Sequence, residues 1–211
     1  MSLFISIEGP DGSGKSTQAR LLADTLRAQG FPVLTTREPG GTPVGEAVRE
    51  IVLHPREMPA TPTTIALLYA TSRSELVQTV IRPALRQGTS VVADRYADST
   101  IAYQSFGLGV PLDVTRCLAE IATDGLTPDV TVYVDILPER GLERLAGRRG
   151  ENWLDRESAA FHTRVRDGYL QMMEEDPARW VRVDGDAPPE AVHGAILRAL
   201  EPILKSERNA V

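Results

Sequence analysis

Cysteine is almost absent from this 211-residue chain, with one copy at position 117, so an internal disulfide and a cysteine metal cluster are both excluded. Cys117 falls in an apolar helical run with Val114, Leu118 and Ile121 and is read as a small core residue. No apolar run approaches the ~18 residues of a membrane helix. The N-terminal Leu3-Phe4-Ile5-Ser6-Ile7 carries no basic flank and meets Glu8 and glycines before a signal-type segment forms, so a cytoplasmic location is expected. Positive charge is not in surplus either: 23 Lys and Arg against 29 Asp and Glu give a net charge of -6, which opposes non-specific adhesion to nucleic acid or anionic lipid. His54, His162 and His193 are too scattered for a metal site and read as surface or packing residues.

The sequence does hold an ordinary globular composition, 42% hydrophobic and 25% charged, over a length of about 1.4 typical domains. One domain spanning residues 1–211, with an insertion, is expected. Leu3 to Glu8 reads as a strand buried on both faces, and Ser16 to Gln29 as a helix that stops at Gly30. Pro32 to Arg37 is a second strand, running into a proline- and glycine-rich loop at 38–43. Thr61 to Gln87 has helical periodicity with a bend at Pro83. Ser90–Asp94, Val130–Asp135 and Trp180–Asp184 are further strands, and Ala191 to Leu204 is a final helix followed by a fraying tail at 205–211. Strands alternating with helices imply a parallel, doubly wound α/β sheet. Periodicity fails between Arg144 and Arg156, where a polar, basic, glycine-flanked stretch reads as a mobile flap.

Gly9-Pro10-Asp11-Gly12-Ser13-Gly14-Lys15-Ser16, followed by Thr17, satisfies G-x-x-x-x-G-K-[ST] and lies between a predicted strand and a predicted helix. Backbone N–H groups of such a loop curl around a β-phosphate, Lys15 reaches the β- and γ-phosphates, and the Ser16 hydroxyl is placed for Mg²⁺. The loop announces a nucleoside triphosphate but not the reaction. A guanine-reading N-K-x-D and a transporter-type L-S-G-G-Q are both missing. Asp94 and Arg95 stand at the carboxyl end of a strand, where ligands of open α/β sheets bind; Asp94 suits Mg²⁺ and Arg95 a phosphoryl group. Arg37 ends the second strand in the same way. Tyr69 and Arg73 share a helix face at i, i+4, which suits a base stacked beside a phosphate clamp, although for Tyr69 taken alone core packing is the favoured reading.

Together with Ile7-Glu8-Gly9, the segments Thr36-Arg37-Glu38-Pro39-Gly40-Gly41-Thr42, Leu67-Leu68-Tyr69-Ala70 with Arg73, Asp94-Arg95-Tyr96, Ser99-Thr100 with Ala102-Tyr103-Gln104, and Tyr133-Val134-Asp135 with Pro138-Glu139 resemble the bacterial thymidylate kinases over nearly the whole chain. The resemblance implies a P-loop NTPase fold of the nucleoside monophosphate kinase type, with a five-stranded parallel sheet flanked by helices and a mobile lid at about 144–156. It implies transfer of the γ-phosphate of ATP to dTMP, with Mg²⁺, for dTTP synthesis, by a homodimer that pairs through helices. Residue by residue, it makes Asp11 a contact of the acceptor sugar or its arginine, and Arg37, Arg73 and Arg95 contacts of the acceptor phosphate and base. Tyr69 becomes the aromatic that stacks on thymine, and Thr100, Tyr103 and Gln104 the polar rim, with Tyr103 excluding a ribose hydroxyl. Pro39 is a candidate for a cis peptide bond. Gly12 in the loop, with Arg148, Arg149 and Arg156 in the flap, matches members whose transition-state arginine sits in the lid, and Arg149 is taken as the contact. Tyr69 in place of the commoner phenylalanine and an inserted Trp153 are this chain's departures. Another monophosphate kinase, a deoxynucleoside kinase, and a P-loop switch are the competing readings.

Overall fold

The computed structural model describes residues 2–53, 60–146 and 153–209. Five short strands carry the fold: β1 (Phe4–Glu8), β2 (Val33–Arg37), β3 (Ser90–Asp94), β4 (Val130–Asp135) and β5 (Trp180–Asp184). They form one sheet in the order β2-β3-β1-β4-β5 with every pairing parallel. The chain visits β2 and β3 on one side of β1, then crosses to β4 and β5 on the other. The strand order therefore reverses at β1, and the sheet's carboxyl edge there is where an open α/β fold binds ligands.

Nine helices surround it among the described residues: α1 (Lys15–Ala28), α2 (Pro43–Leu53), α3 (Pro62–Leu76), α4 (Arg82–Arg86), α5 (Ala97–Thr100), α6 (Leu112–Thr123), α7 (Pro138–Leu145), α8 (Ala159–Glu175) and α9 (Pro189–Asn209). Alternation along β1 divides the core. Ile5 and Ile7 join Leu22 and Leu26 of α1 and Ile196 and Leu200 of α9 on one face. Phe4 packs with Leu76, Val77, Ile81 and Tyr96 on the other. That second face continues into Tyr133, Phe161, Val165, Tyr169 and Trp180 beneath α8. No helix among the described residues is long and apolar enough to cross a membrane.

The bend anticipated at Pro83 takes a definite form. Between α3 and α4, Val77–Ile81 is a π turn, in which the Arg82 N–H reaches back five residues to the Val77 carbonyl. The wider turn accommodates a proline ring that would otherwise crowd the carbonyl four residues earlier. A second π stretch, Ile101–Gly107, extends α5 and was not foreseen. Pro43, read as part of a loop, instead opens α2, where a missing N–H costs nothing. The expected fraying at 205–211 gives way to helix up to Asn209.

Cys117 is exposed, not a core residue. On α6 the buried positions are Thr115, Ala119, Ala122 and Thr123, while Ile121 is 69% exposed and Val114 faces out with it. The apolar periodicity was real, but the face of α6 that packs is the one carrying the small residues, leaving the larger stripe outside.

Candidate active site

The phosphate loop follows β1 and ends at Gly14, which caps α1 in the left-handed conformation with no side-chain cap. The first helical backbone bond, Gln18 N–H to the Gly14 carbonyl at 3.1 Å, leaves the N–H groups of Lys15, Ser16 and Thr17 ahead of the intrahelical ladder. Those donors, with the helix dipole, form an anion site. Gly12, at φ 79°, lies so close to α7 that a Cβ there would sit 2.2 Å from the Gly141 carbonyl oxygen. Gly12→Ala is expected to cost about 2–4 kcal/mol through the strained φ and the backbone clash, and to raise the KM for ATP. Thermal unfolding and ATP titration check it; wild-type values for both would contradict the packing described.

Beside the loop opens a cavity of about 670 Å³ lined by Asp11, Lys15, Ser16, Arg37, Glu38, Pro39, Arg49, Leu53, Tyr69, Asp94, Arg95, Ser99, Thr100, Tyr103, Gln104 and Leu154. It joins the phosphate loop to an arginine-rich, part-aromatic pocket in one volume. Arg37 stands at its exposed rim, paired with Glu46 at 3.0 Å. Arg49 donates to the Pro39 carbonyl at 2.9 Å, and the Glu38–Pro39 peptide is cis. Gln104 is buried, and its Nε2 has no hydrogen-bond partner among the described residues. A donor held this way inside a pocket is suited to a ligand carbonyl.

Arg95 is the centre of the charged network. Its backbone is left-handed, φ 73°, directly after β3. Its guanidinium donates to the Gly9 carbonyl at 3.2 Å, Ser99 Oγ at 2.9 Å, Tyr169 OH at 3.3 Å and Tyr103 OH at 3.0 Å, and pairs with Asp11. It also lies over the Tyr103 ring, 4.7 Å from the centroid. Asp11 accepts from Tyr103 OH at 2.7 Å and lies 3.3 Å from Lys15 Nζ. Burial opposes the Asp11 charge, but Arg95 and Lys15 outweigh it and hold the carboxyl well below the ordinary range. Asp11 is thus ionised at any working pH and spaces two cations rather than shuttling protons. Burial, with Arg95 nearby, pulls Lys15 down, and burial pushes the Tyr69 phenol up to about 12.

Arg73 does not line the cavity. It is buried, paired with Glu38 and donating from Nη2 to the Tyr96 carbonyl and to Thr100 Oγ1, both at 3.0 Å, while its Nε and Nη1 have no hydrogen-bond partner among the described residues. Asp94 and Ser16 both line the cavity, and Asp94 Oδ1 is buried without a hydrogen-bond partner among the described residues. One hydroxyl and one carboxylate oxygen facing a phosphate site are a donor set that fits Mg²⁺, a cation that keeps most of its ligands as water and phosphate.

Arg148 and Arg149 lie outside the described residues, as does the Arg156 side chain. Of the expected flap, Arg144 belongs to α7 and is pinned to the Gly185 carbonyl at 2.8 Å. At the other end Trp153–Arg156 is a 3₁₀ turn, whose Trp153 indole donates to the Val52 carbonyl at 2.8 Å. Sequence reasoning missed Arg49, Glu38, Ser99 and Tyr169 as members of the site. Glu38 and Ser99 stood within quoted motifs, but Arg49 and Tyr169 had no local signal.

The thymidylate kinase family model matches residues 7–196. A thymidylate kinase of Roseiflexus castenholzii is 48% identical, covering 98% of this chain and 96% of its own length. One from Caldanaerobacter subterraneus is 45% identical, covering 97% and 98%. Among solved structures, the thymidylate kinase of Ehrlichia chaffeensis superposes with a TM-score of 0.77 at 31% identity, covering 95% of this chain and 98% of that one. With the motif-bearing loop, the sheet order and the two-part cavity in agreement, the chain belongs to the thymidylate kinase family.

Proposed function

We propose that this protein transfers the γ-phosphoryl group of ATP to dTMP, giving dTDP and ADP, and that the residues of the cavity do this work. The observation that carries the reading is that a phosphate loop and an arginine-, tyrosine- and glutamine-lined pocket share one 670 Å³ volume. An acceptor oxygen of the dTMP phosphate attacks the γ-phosphorus as the bond to the β–γ bridging oxygen breaks, and ADP leaves with that electron pair. The attacking phosphate is already ionised near neutral pH, so no general base is needed, and catalysis is positioning plus cations. Lys15 and the α1 N-terminus hold the donor phosphates; Arg95, spaced by Asp11, orients the acceptor phosphate; Arg37 stands ready at the rim. Tyr69 stacks on the base, Gln104 donates to it, and Tyr103 crowds the sugar. Ser16 and Asp94 would hold Mg²⁺, which would neutralise charge on the donor phosphates when bound.

The close approach of Gly12 to α7 leaves no room for an arginine side chain at position 12, which supports a lid arginine. Arg149→Ala is expected to lower kcat by tens-fold or more with little change in dTMP affinity. Equilibrium dTMP binding and single-turnover rates separate the two; a wild-type kcat would remove Arg149 from the role.

The outward apolar residues Ile51 of α2, Leu67 of α3 and Val114 and Ile121 of α6 lie on three adjoining helices and support a homodimer formed through that face. A cytoplasmic site accords with an exposed free thiol and nucleotide substrates. Neither nucleic acid nor membrane enters this reading. An acceptor panel tests it: ADP release from MgATP is followed with dTMP, dUMP, dCMP, dGMP, UMP or thymidine. Preferential stimulation by dTMP is expected, and hydrolysis indifferent to every acceptor would favour a nucleotide-driven switch.

A further inference from the structure

Glu8 ends β1, directly before the phosphate loop, and its parity places it on the same face as Phe4 and Ser6, under α5 and α8. It is wholly buried. A carboxylate in that position is costly unless its oxygens are supplied with donors, and three are supplied. Tyr96 N–H donates at 2.6 Å, Ser99 Oγ at 2.5 Å and Tyr169 OH at 3.0 Å. The first belongs to the peptide that follows the left-handed Arg95, and the other two hydroxyls are the ones that accept from Arg95 Nη1.

We propose that Glu8 is a positioning residue for Arg95, fixing the guanidinium in the acceptor cavity through the 95–96 peptide and through the hydroxyls of Ser99 and Tyr169. The inference rests on the kinase reading above. Ser99 Oγ and Tyr169 OH also lie 2.8 Å from each other, so the two hydroxyls and a Glu8 oxygen form a triangle. Each hydroxyl has one proton. An ionised Glu8 draws both protons to itself, leaves the hydroxyl lone pairs to Arg95 and faces the guanidinium with a full negative charge. A neutral acid or an amide removes that charge and brings a proton of its own into the triangle, so the set that holds Arg95 loses its charge assistance. Tyr96 N–H, held by the same carboxylate, keeps the strained turn at Arg95 from relaxing.

The charged and titratable groups facing Glu8 are Arg95 after β3, Asp98 of α5, Tyr169 of α8 and its register partner Tyr133 on β4. Asp98 is itself forked by Arg179, at 2.7 and 3.1 Å. Burial, then Asp98, push the Glu8 carboxyl up to about 7, against the pull of Ser99, Arg95 and the Tyr96 N–H. The ionised form that aims Arg95 is therefore gained as pH rises through neutrality and lost as it falls.

The test is steady-state kinetics of Glu8→Gln against the wild type between about pH 6 and pH 8.5, at matched pH so that the acceptor phosphate's own titration cancels. Near pH 8 the variant is expected to show a dTMP KM raised about tenfold or more, the scale of one charge-assisted hydrogen bond, with the ATP KM within about twofold. Its deficit relative to wild type should shrink as pH falls below about 7, because wild-type Glu8 is then protonated too. A wild-type dTMP KM at pH 8, or a deficit constant with pH, would overturn the proposal. If Glu8→Gln does not fold, Tyr169→Phe keeps the ring and removes one hydroxyl; a dTMP KM raised about threefold or more is expected, and an unchanged one overturns the proposal. Wild-type protein without dTMP-dependent ADP release would instead sink the kinase reading itself, and this inference with it.

Discussion

Arg95→Ala is expected to lower kcat/KM for dTMP by about 10²- to 10³-fold, with a raised dTMP KM and a lowered kcat. The size follows from removing the guanidinium that faces the acceptor phosphate, one partner of a buried charge pair, at about 3–4 kcal/mol. On the proposed role, in which the guanidinium orients the acceptor before transfer and faces the charge that develops during it, KM and kcat both move. The truncation also strips Asp11 of its closer cation, leaving Lys15 at 3.3 Å as its counter-charge. Lys15 is then drawn toward Asp11 and away from the donor phosphates, which adds to the loss of kcat. Arg95→Lys keeps the charge but loses the fork that reaches Asp11, Tyr103, Ser99 and Tyr169 together, and should fall between the two. Substrate titrations of the three proteins check the order; an unchanged dTMP KM in the alanine variant would move Arg95 off the acceptor.

The largest stability effect is expected at Arg73. Its side chain is 1% exposed and its partner Glu38 is 2% exposed, so solvent does not screen the pair. Arg73→Met leaves the carboxylate buried and unpaired and strips donors from the Tyr96 carbonyl and Thr100 Oγ1. A cost of about 3–5 kcal/mol follows, or a fall in Tm on the order of 10 °C for a chain of this size. Burial already pushes the Glu38 carboxyl up, with Arg73 opposing. Without the arginine the carboxyl rises further, so the folded state prefers it protonated. The variant's deficit should be largest at alkaline pH and shrink as pH falls toward the ordinary carboxylate range. Adding Glu38→Gln should restore part of the loss at pH 8. Thermal unfolding of the single and double variants at two pH values decides it, and a single variant melting within about 2 °C of wild type would refute a buried pair.

These two arginines show what was legible before the fold was seen. Arg95 follows an apolar run ending in acid, and β3, β4 and β5 each end at an aspartate. The phosphate loop, the strand ends and the alternation of elements are local patterns, so they survive translation into structure. Arg73 was grouped with the ligand contacts because i, i+4 spacing from Tyr69 puts both on one helix face. Spacing gives the face but not the partners: Arg73 pairs with Glu38, 35 positions away in the loop after β2, and keeps Nε and Nη1 without a partner among the described residues. Tyr103 and Gln104 were singled out, whereas the π stretch that aims them was not, since it depends on how residues 101–107 pack against α8. Glu8 looked like the end of a strand. Its part in the site needs Tyr96, Ser99 and Tyr169, the last 161 residues away, and no window along the chain contains all four. Cys117 was misplaced for a related reason: periodicity finds an apolar stripe without saying whether its partner lies in the same chain.

Phosphorus NMR of dTMP and MgATP incubated with the purified protein would follow every phosphate at once. The expected spectrum shows the dTMP monophosphate resonance replaced by the two of dTDP, one dTDP for each ADP, with no inorganic phosphate. ADP and inorganic phosphate accumulating beside unchanged dTMP would contradict phosphoryl transfer to the acceptor.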